Sequence, residues 1–142
     1  MDFQQLAEDF LEGNYASFKD GPQRRFDESM RGEAFVLLYL SRQPGSVQPG
    51  NLSAAMGVST ARIAAALNGL EKRGMVTRRI DTQDRRRILV DLTPEGRQAA
   101  QRHRQTILDH TARMFELLGE EDATEFVRIW DRFRELAPML YL

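Results

Sequence analysis

The sequence predicts a mainly α protein with one small two-stranded antiparallel sheet. Apolar residues recur at helical spacing over most of the 142-residue chain. The stretches 76–80 and 88–92 instead alternate with the period of two that is typical of strands, and the polar segment 81–87 joins them as a hairpin tip would. The length suits a single domain with its own hydrophobic core.

The first two helices are predicted from their apolar patterns and from the residues that end them. An amphipathic helix covers 3–18, and Gly21 and Pro22 follow it as a stop signal. The apolar run 34–40 has no clear periodicity. We assign it to a helix because the segment 31–43 is long enough for about three turns.

Two short helices separated by a tight turn come next. The first covers 49–56, and Gly57 supplies the left-handed residue after it. Ser59 then caps a second helix that ends at Gly74. The residues that these helices are expected to bury are Leu52, Ala55, Ile63, Ala66, Leu67 and Leu70. A helix, a tight turn, a second helix and a following hairpin together indicate a winged helix-turn-helix lobe.

The carboxyl-terminal third predicts two further helices. Thr93 and Pro94 are suited to the N-cap and first position of a helix that ends at Gly119, and Glu120 opens the last helix. That last helix carries an apolar stripe of Phe126, Ile129, Trp130, Phe133, Ala137 and Leu140. The terminal helices thus hold more apolar surface than a small lobe can cover. We therefore expect them to form a homodimer interface.

Charge is distributed unevenly along the chain, whose net charge is −1. Residues 59–104 contain eleven Arg and Lys against five Asp and Glu, which gives this segment a net charge of +6. Both flanking segments are acidic. A basic middle between acidic ends indicates that one face of the molecule contacts a polyanion.

Several motifs of this segment resemble the MarR family of transcriptional regulators. The matching motifs are Leu52–Ser59, Leu70–Val76, Asp81–Arg86 and Leu92–Arg97. The resemblance implies a single domain over 1–142, with a DNA-binding lobe at 29–93 and dimerisation helices at 1–28 and 94–142. It also implies a homodimeric repressor that binds a pseudo-palindromic site on double-stranded DNA and releases it when a small molecule binds.

Candidate DNA-binding residues lie on the second helix of the helix-turn-helix and on the wing. The exposed face of the second helix is poor in polar groups, and Arg62 is the first choice on it for contacting a guanine. Arginines at the wing tip suit a narrow minor groove. The full set is Ser59, Thr60, Arg62, Asn68, Lys72, Arg78, Arg79, Arg85, Arg86 and Arg87. Lys72, Arg78 and Arg79 are assigned to phosphates. The resemblance implies that either Arg85 or Arg86 reaches the DNA while Asp84 braces the wing tip through an ion pair.

A ligand site is implied only by the resemblance, which places a small aromatic or phenolic effector between the lobe and the dimer helices. The residues expected there are Phe10, Tyr15, Phe18, Phe35 and Tyr39, although aromatics at helical spacing also suit a core. His103 and His110 share a helix face but match no metal-ligand pattern, and the chain has no cysteine. We predict no cofactor.

No residue pattern indicates catalysis, so the protein is not predicted to be an enzyme. A cytoplasmic location is expected, since the sequence shows neither a signal peptide nor an apolar run of about 20 residues. One alternative to DNA binding remains open. The alanine-rich face of the second helix would also suit a helix-turn-helix that serves as a protein-interaction or antagonist module.

Overall fold

A computed structural model describes residues 1–20 and 32–141. Its helices are α1 (Phe3–Asp20), α2 (Glu33–Ser41), α3 (Pro49–Met56), α4 (Thr60–Lys72), α5 (Pro94–Leu118) and α6 (Glu120–Leu136), and a 3-10 helix covers Ala137–Tyr141. Strands β1 (Val76–Ile80) and β2 (Ile88–Leu92) form one antiparallel sheet. The chain divides into two compact units, Met1–Gln101 and Arg102–Leu142. The mainly α class with a two-stranded sheet is confirmed.

The first unit has its core where α2, α3 and α4 pack against the sheet and the start of α5. The buried apolar residues are Val36, Leu37, Leu40, Val47, Leu52, Ile63, Leu67, Leu70, Val76, Val90, Ala99 and Ala100. Ile63, Leu67 and Leu70 recur at helical spacing, so they turn one side of α4 inward and leave the opposite side exposed. This core therefore decides which face of α4 can meet a partner.

The turn between α3 and α4 forms as its residues predict. Gly57 adopts the left-handed conformation (φ 64°, ψ 34°), and its N–H donates to Ser53 O at 2.9 Å. Ser59 Oγ accepts from Arg62 N at 3.3 Å and so caps α4. The expectation that Ala55 is buried is wrong. Ala55 is exposed, and Met56 packs against the core in its place.

The hairpin is anchored to the lobe at its base. Val76 pairs with Leu92 and Ile80 with Ile88, which fixes the register of the two strands. Val47 adds a bridge to the far edge of β2, where Val47 N donates to Val90 O at 3.0 Å and Val90 N donates to Val47 O at 2.8 Å. The base of the wing is therefore held from both sides, while its tip at 81–87 extends away from the core.

The start of α5 is tied to the end of α4. Thr93 Oγ1 accepts from Gly96 N at 3.0 Å, as an N-cap does, and donates to Gly74 O at 2.5 Å. Thr93 N also donates to Met75 O at 3.1 Å. Gly96 is buried directly against Met75 O, at a site with no room for a β-carbon. The fold thus needs glycine at this position.

Both terminal helices leave their apolar residues uncovered. In α1 the side chains of Phe3 and Phe10 are 74% and 66% exposed. On α6 an aromatic row runs from Phe126 through Trp130 to Phe133, with ring centroids 6.2 and 5.7 Å apart. Each member of this row is about half exposed. In the part of the chain that the structure describes, no helix is long and apolar enough to cross a membrane.

Candidate nucleic-acid interface

The outer face of α4 carries few polar groups, as the sequence predicts. Thr60, Arg62, Asn68 and Lys72 are exposed, and so are the three alanines at 61, 64 and 65. Among the side chains that the structure describes, those of residues 1–14 and 32–141, no carboxylate lies within ion-pair distance of Arg62 or Lys72. Ser59 is exposed at the amino end of the helix, where its hydroxyl is engaged as the cap.

Arg78, assigned above to phosphates, is held between two residues of α4. Its guanidinium donates to both carboxylate oxygens of Glu71 at 3.1 Å, and its Nη2 also donates to Asn68 Oδ1 at 2.6 Å. The side-chain hydrogen bond between Arg78 and Glu71 lowers the pKa of Glu71 and raises the pKa of Arg78. We name Asn68, Glu71 and Arg78 the helix–wing triad.

Arg79 has a similar arrangement on the other side of the hairpin. Its Nε donates to Asp91 Oδ2 at 3.3 Å and its Nη2 donates to Ser46 Oγ at 3.0 Å. Ser46 Oγ in turn donates to Asp91 Oδ1 at 2.5 Å. Arg78 therefore fastens the wing to α4 through Glu71, and Arg79 fastens it to the segment before α3 through Ser46. Each arginine is also paired with a carboxylate, which reduces the charge that it can offer to a phosphate.

The wing tip is organised around Asp84. Its Oδ1 accepts from both the backbone N and Nε of Arg86 at 3.1 Å, and its Oδ2 accepts from Arg86 Nη2 at 3.2 Å. Arg87 lies on the same carboxylate, with Nε 3.4 Å from Oδ2. The pKa of Asp84 is lowered, chiefly by the hydrogen bond from the Arg86 side chain and further by the backbone N–H of Arg86 and the charge of Arg87. Asp84 thus pairs with Arg86 and Arg87 rather than with Arg85.

Arg86 and Arg85 present their charge in different ways. The Arg86 side chain is 90% exposed although one edge of its guanidinium is held by Asp84, so it projects from the tip in a fixed direction. Arg85 is exposed, and among the described residues no carboxylate lies within ion-pair distance of it. The tip therefore offers one cation that Asp84 orients and one that has no carboxylate partner among the described residues.

The residues expected to line a ligand site are only partly described. Phe35 and Tyr39 stack with ring centroids 6.1 Å apart and are half-buried on α2, and Phe10 is exposed on α1. The side chains of Tyr15 and Phe18 lie outside the described part of the structure. His103 and His110 are exposed on α5, and no group of three potential metal-ligating side chains occurs within the residues described.

Sequence reasoning missed the partners that hold the wing, namely Glu71, Asp91 and Ser46. Each of them meets an arginine of β1 across two different elements, 7, 12 and 33 positions away in the chain. No spacing rule for a single helix or strand reveals such pairs. The one available signal was that the basic segment also contains five carboxylates, Glu71 and Asp91 among them.

The helix-turn-helix, the hairpin after it and the arginines on both define a winged helix-turn-helix lobe. A model described as the MarR family matches residues 30–87. The transcriptional repressor YetL of Bacillus subtilis is 27% identical over 103 residues, which are 72% of this chain and 62% of that protein. A putative transcriptional regulatory protein for the hcr operon of Thauera aromatica is 34% identical over 83 residues, covering 56% of this chain and 49% of that one.

The fold also matches a solved structure over nearly the whole chain. FabT of Streptococcus pneumoniae, in complex with DNA, superimposes with a TM-score of 0.69 at 20% identity, covering 98% of this chain and 99% of that one. Residues 30–87, which span most of the lobe, are therefore similar to the MarR family, and the fold is that of solved MarR-type structures. The chain spans from about two fifths to three fifths of the length of the curated relatives that it matches.

Proposed function

We propose that this protein is a homodimeric transcriptional regulator that binds a specific site on duplex DNA. The observation that carries the proposal is the placement of cations on the lobe. Arg62 and Lys72 stand on the outer face of α4, and Arg85 and Arg86 stand at the wing tip. The relatives named above are transcriptional regulators, and one solved structure of this fold is bound to DNA.

In this proposal α4 lies in the major groove, which is about 12 Å wide and admits a helix. Arg62 contacts a guanine edge, and Lys72 contacts the phosphate backbone. Since α4 offers few other donors, discrimination between sequences is modest, and much of the affinity comes from phosphate contacts that weaken with salt.

The wing places Arg86 in the minor groove and leaves Arg85 for a phosphate. Arg86 is suited to the groove because Asp84 fixes its direction before DNA arrives, so little side-chain freedom is lost on binding. Arginine is also the residue that a narrow, electronegative minor groove favours. Asp84 therefore acts as a brace rather than as a DNA ligand.

Two copies of the chain bind together in this proposal, with the exposed apolar faces of α1 and α6 covered in the dimer. Exposed apolar surface of this extent is typical of an interface. Two lobes related by a twofold axis address half-sites about 34 Å apart, so the site is pseudo-palindromic. We further propose that the protein represses transcription and that a small aromatic ligand beside the Phe35–Tyr39 stack relieves repression.

Replacing Arg86 with alanine should weaken binding to every duplex, whatever its sequence, because the minor-groove contact depends on shape and potential. We expect affinity to fall about tenfold and the slope of log K against log salt to decrease by about 0.9. Fluorescence anisotropy titrations at several salt concentrations measure both. Arg85→Ala is the matched control at the neighbouring position. A loss for Arg86→Ala no larger than that for Arg85→Ala would contradict the assignment.

Replacing Arg62 with alanine should relax the preference at one base pair of each half-site. A single bidentate arginine contact contributes about 1–3 kcal/mol of discrimination between bases. Selection from a randomised duplex pool, followed by sequencing, reports the change position by position. Lys72→Ala on the same helix should instead weaken all sequences and leave the profile unchanged. An unaltered profile for Arg62→Ala would remove Arg62 from base recognition.

A further inference from the structure

The helix–wing triad fixes the orientation of the Asn68 amide. Arginine carries only donors, so the atom of Asn68 that faces Arg78 must be the oxygen. Arg78 is itself held by two bonds to Glu71, and its side chain is only 27% exposed. The amide oxygen is therefore turned toward the wing, and Nδ2 is the end of Asn68 that remains available.

Asn68 lies on the face of α4 that would contact the bases in the proposed function. It is exposed on the side of α4 opposite the buried Ile63 and Leu67, and alanines at 61, 64 and 65 supply no competing donor or acceptor on that face. Asn68 is thus one of the few groups of α4 that can form a hydrogen bond with a base edge. Its orientation consequently matters more than it would on a polar helix.

We propose that Asn68 determines specificity for guanine at one position of each half-site, as a hydrogen-bond donor oriented by Arg78. This rests on the proposed function, in which α4 enters the major groove. Guanine presents two acceptors there, O6 and N7, whereas adenine (N7) and thymine (O4) present one each and cytosine presents only its N4 donor. The usual asparagine contact with adenine needs the amide oxygen and nitrogen side by side at the base, and in this protein the oxygen is directed to Arg78.

Glu71 balances the positive charge of the arginine that orients Asn68. Its carboxylate neutralises Arg78, so the guanidinium serves as an orienting group and contributes little attraction for phosphate. Arg78 is in this sense a positioning residue, and Asn68 is the residue that touches the base. Removing Arg78 together with the charge of Glu71 should free the amide while leaving the net charge of the lobe unchanged.

The test compares base preferences, which do not depend on overall affinity. Wild-type protein, Asn68→Ala and the double variant Glu71→Gln/Arg78→Met are each used for selection from a randomised duplex pool. For the wild type we expect guanine at one symmetric pair of positions to exceed adenine about fivefold or more. Asn68→Ala should flatten that pair alone. The double variant should shift the same pair from guanine toward adenine, since the free amide can then turn both of its ends to the base.

The double variant Arg113→Met/Glu116→Gln removes a comparable ion pair from α5 and is the matched control, expected to leave the profile unchanged. An unchanged profile for Asn68→Ala, or a guanine preference retained by Glu71→Gln/Arg78→Met, would overturn the inference while leaving DNA binding intact. A wild-type protein that binds duplex DNA but enriches no site, or does not bind at all, would instead contradict the proposed function on which the inference rests.

Discussion

Replacing Trp130 with glutamate should convert the dimer into monomers and remove most of the affinity for the two-half-site duplex. Trp130 lies at the centre of the aromatic row on α6 and is 53% exposed in the single chain, so the buried charge would fall within the proposed interface. A monomer holds one half-site and loses the avidity of two linked lobes. We therefore expect binding to weaken about 100-fold or more.

Light scattering measures this change directly, as a mass that falls from twice 16.3 kDa to 16.3 kDa. Arg132→Gln on the same helix changes the net charge by the same amount and is the matched control, expected to remain dimeric. If the monomer proves unfolded, the unfolding midpoint of the wild type should still rise with protein concentration, as that of an obligate dimer does. A Trp130→Glu protein that stays dimeric would contradict the proposed interface.

Replacing Gly96 with alanine should destabilise the lobe by about 2–3 kcal/mol, the upper part of the range of about 1–3 kcal/mol found when atoms are forced into a filled core. The added β-carbon would overlap Met75 O and would stand 3.0 Å from Leu92 Cδ2. Met75 O cannot simply move aside, because it accepts the hydrogen bond from Thr93 N at the start of α5. At about 3 °C per kcal/mol for a chain of this size, the melting temperature should fall by about 6–9 °C.

Gly50→Ala is the control for this substitution. Gly50 is exposed on α3, and a β-carbon built there has no neighbour within 4 Å. Alanine should therefore be neutral or slightly stabilising at position 50, because it restricts the unfolded chain and fits the helix. Calorimetry of the two variants compares them directly. Equal melting temperatures would show that the junction between α4 and α5 adapts, contrary to the close packing at Gly96.

The elements with strong local signals were predictable almost to the residue. Both strands, α3 and the turn at Gly57 agree with their predicted bounds, because glycine, proline and capping side chains act on their immediate neighbours. The bounds of α2 were predicted less exactly from its apolar run. That helix covers only Glu33–Ser41, since an unbroken apolar stretch carries no mark of where it ends.

Which residues are buried and which side chains pair were harder to predict from the sequence. Ala55 and Met56 are neighbours on a helix of two turns, and periodicity alone did not show that Met56 would take the inner position. Arg78 and Arg79 were assigned to phosphates because a sequence shows charges but not their partners. Their carboxylates come from other elements, so only the folded lobe brings them together.

The roles of the wing arginines show how much of the site depends on geometry. The resemblance around Asp84 implied that either Arg85 or Arg86 reaches the DNA, without saying which one. Asp84 pairs with Arg86 and Arg87 and not with Arg85, because the turn at the wing tip sets which side chains lie beside its carboxylate. The assignment of Arg86 to the minor groove rests on this geometry together with the exposure of its side chain.

The most direct test of the central claim is the binding of purified wild-type protein to labelled random-sequence duplex at two salt concentrations, followed by selection from a randomised pool. We expect binding that weakens steeply with salt, together with enrichment of a pseudo-palindrome whose half-sites lie about one helical turn apart. The absence of binding at low salt, from a protein confirmed to be folded and dimeric, would contradict it. The exposed faces of α4 and the wing would then have to serve a protein partner instead.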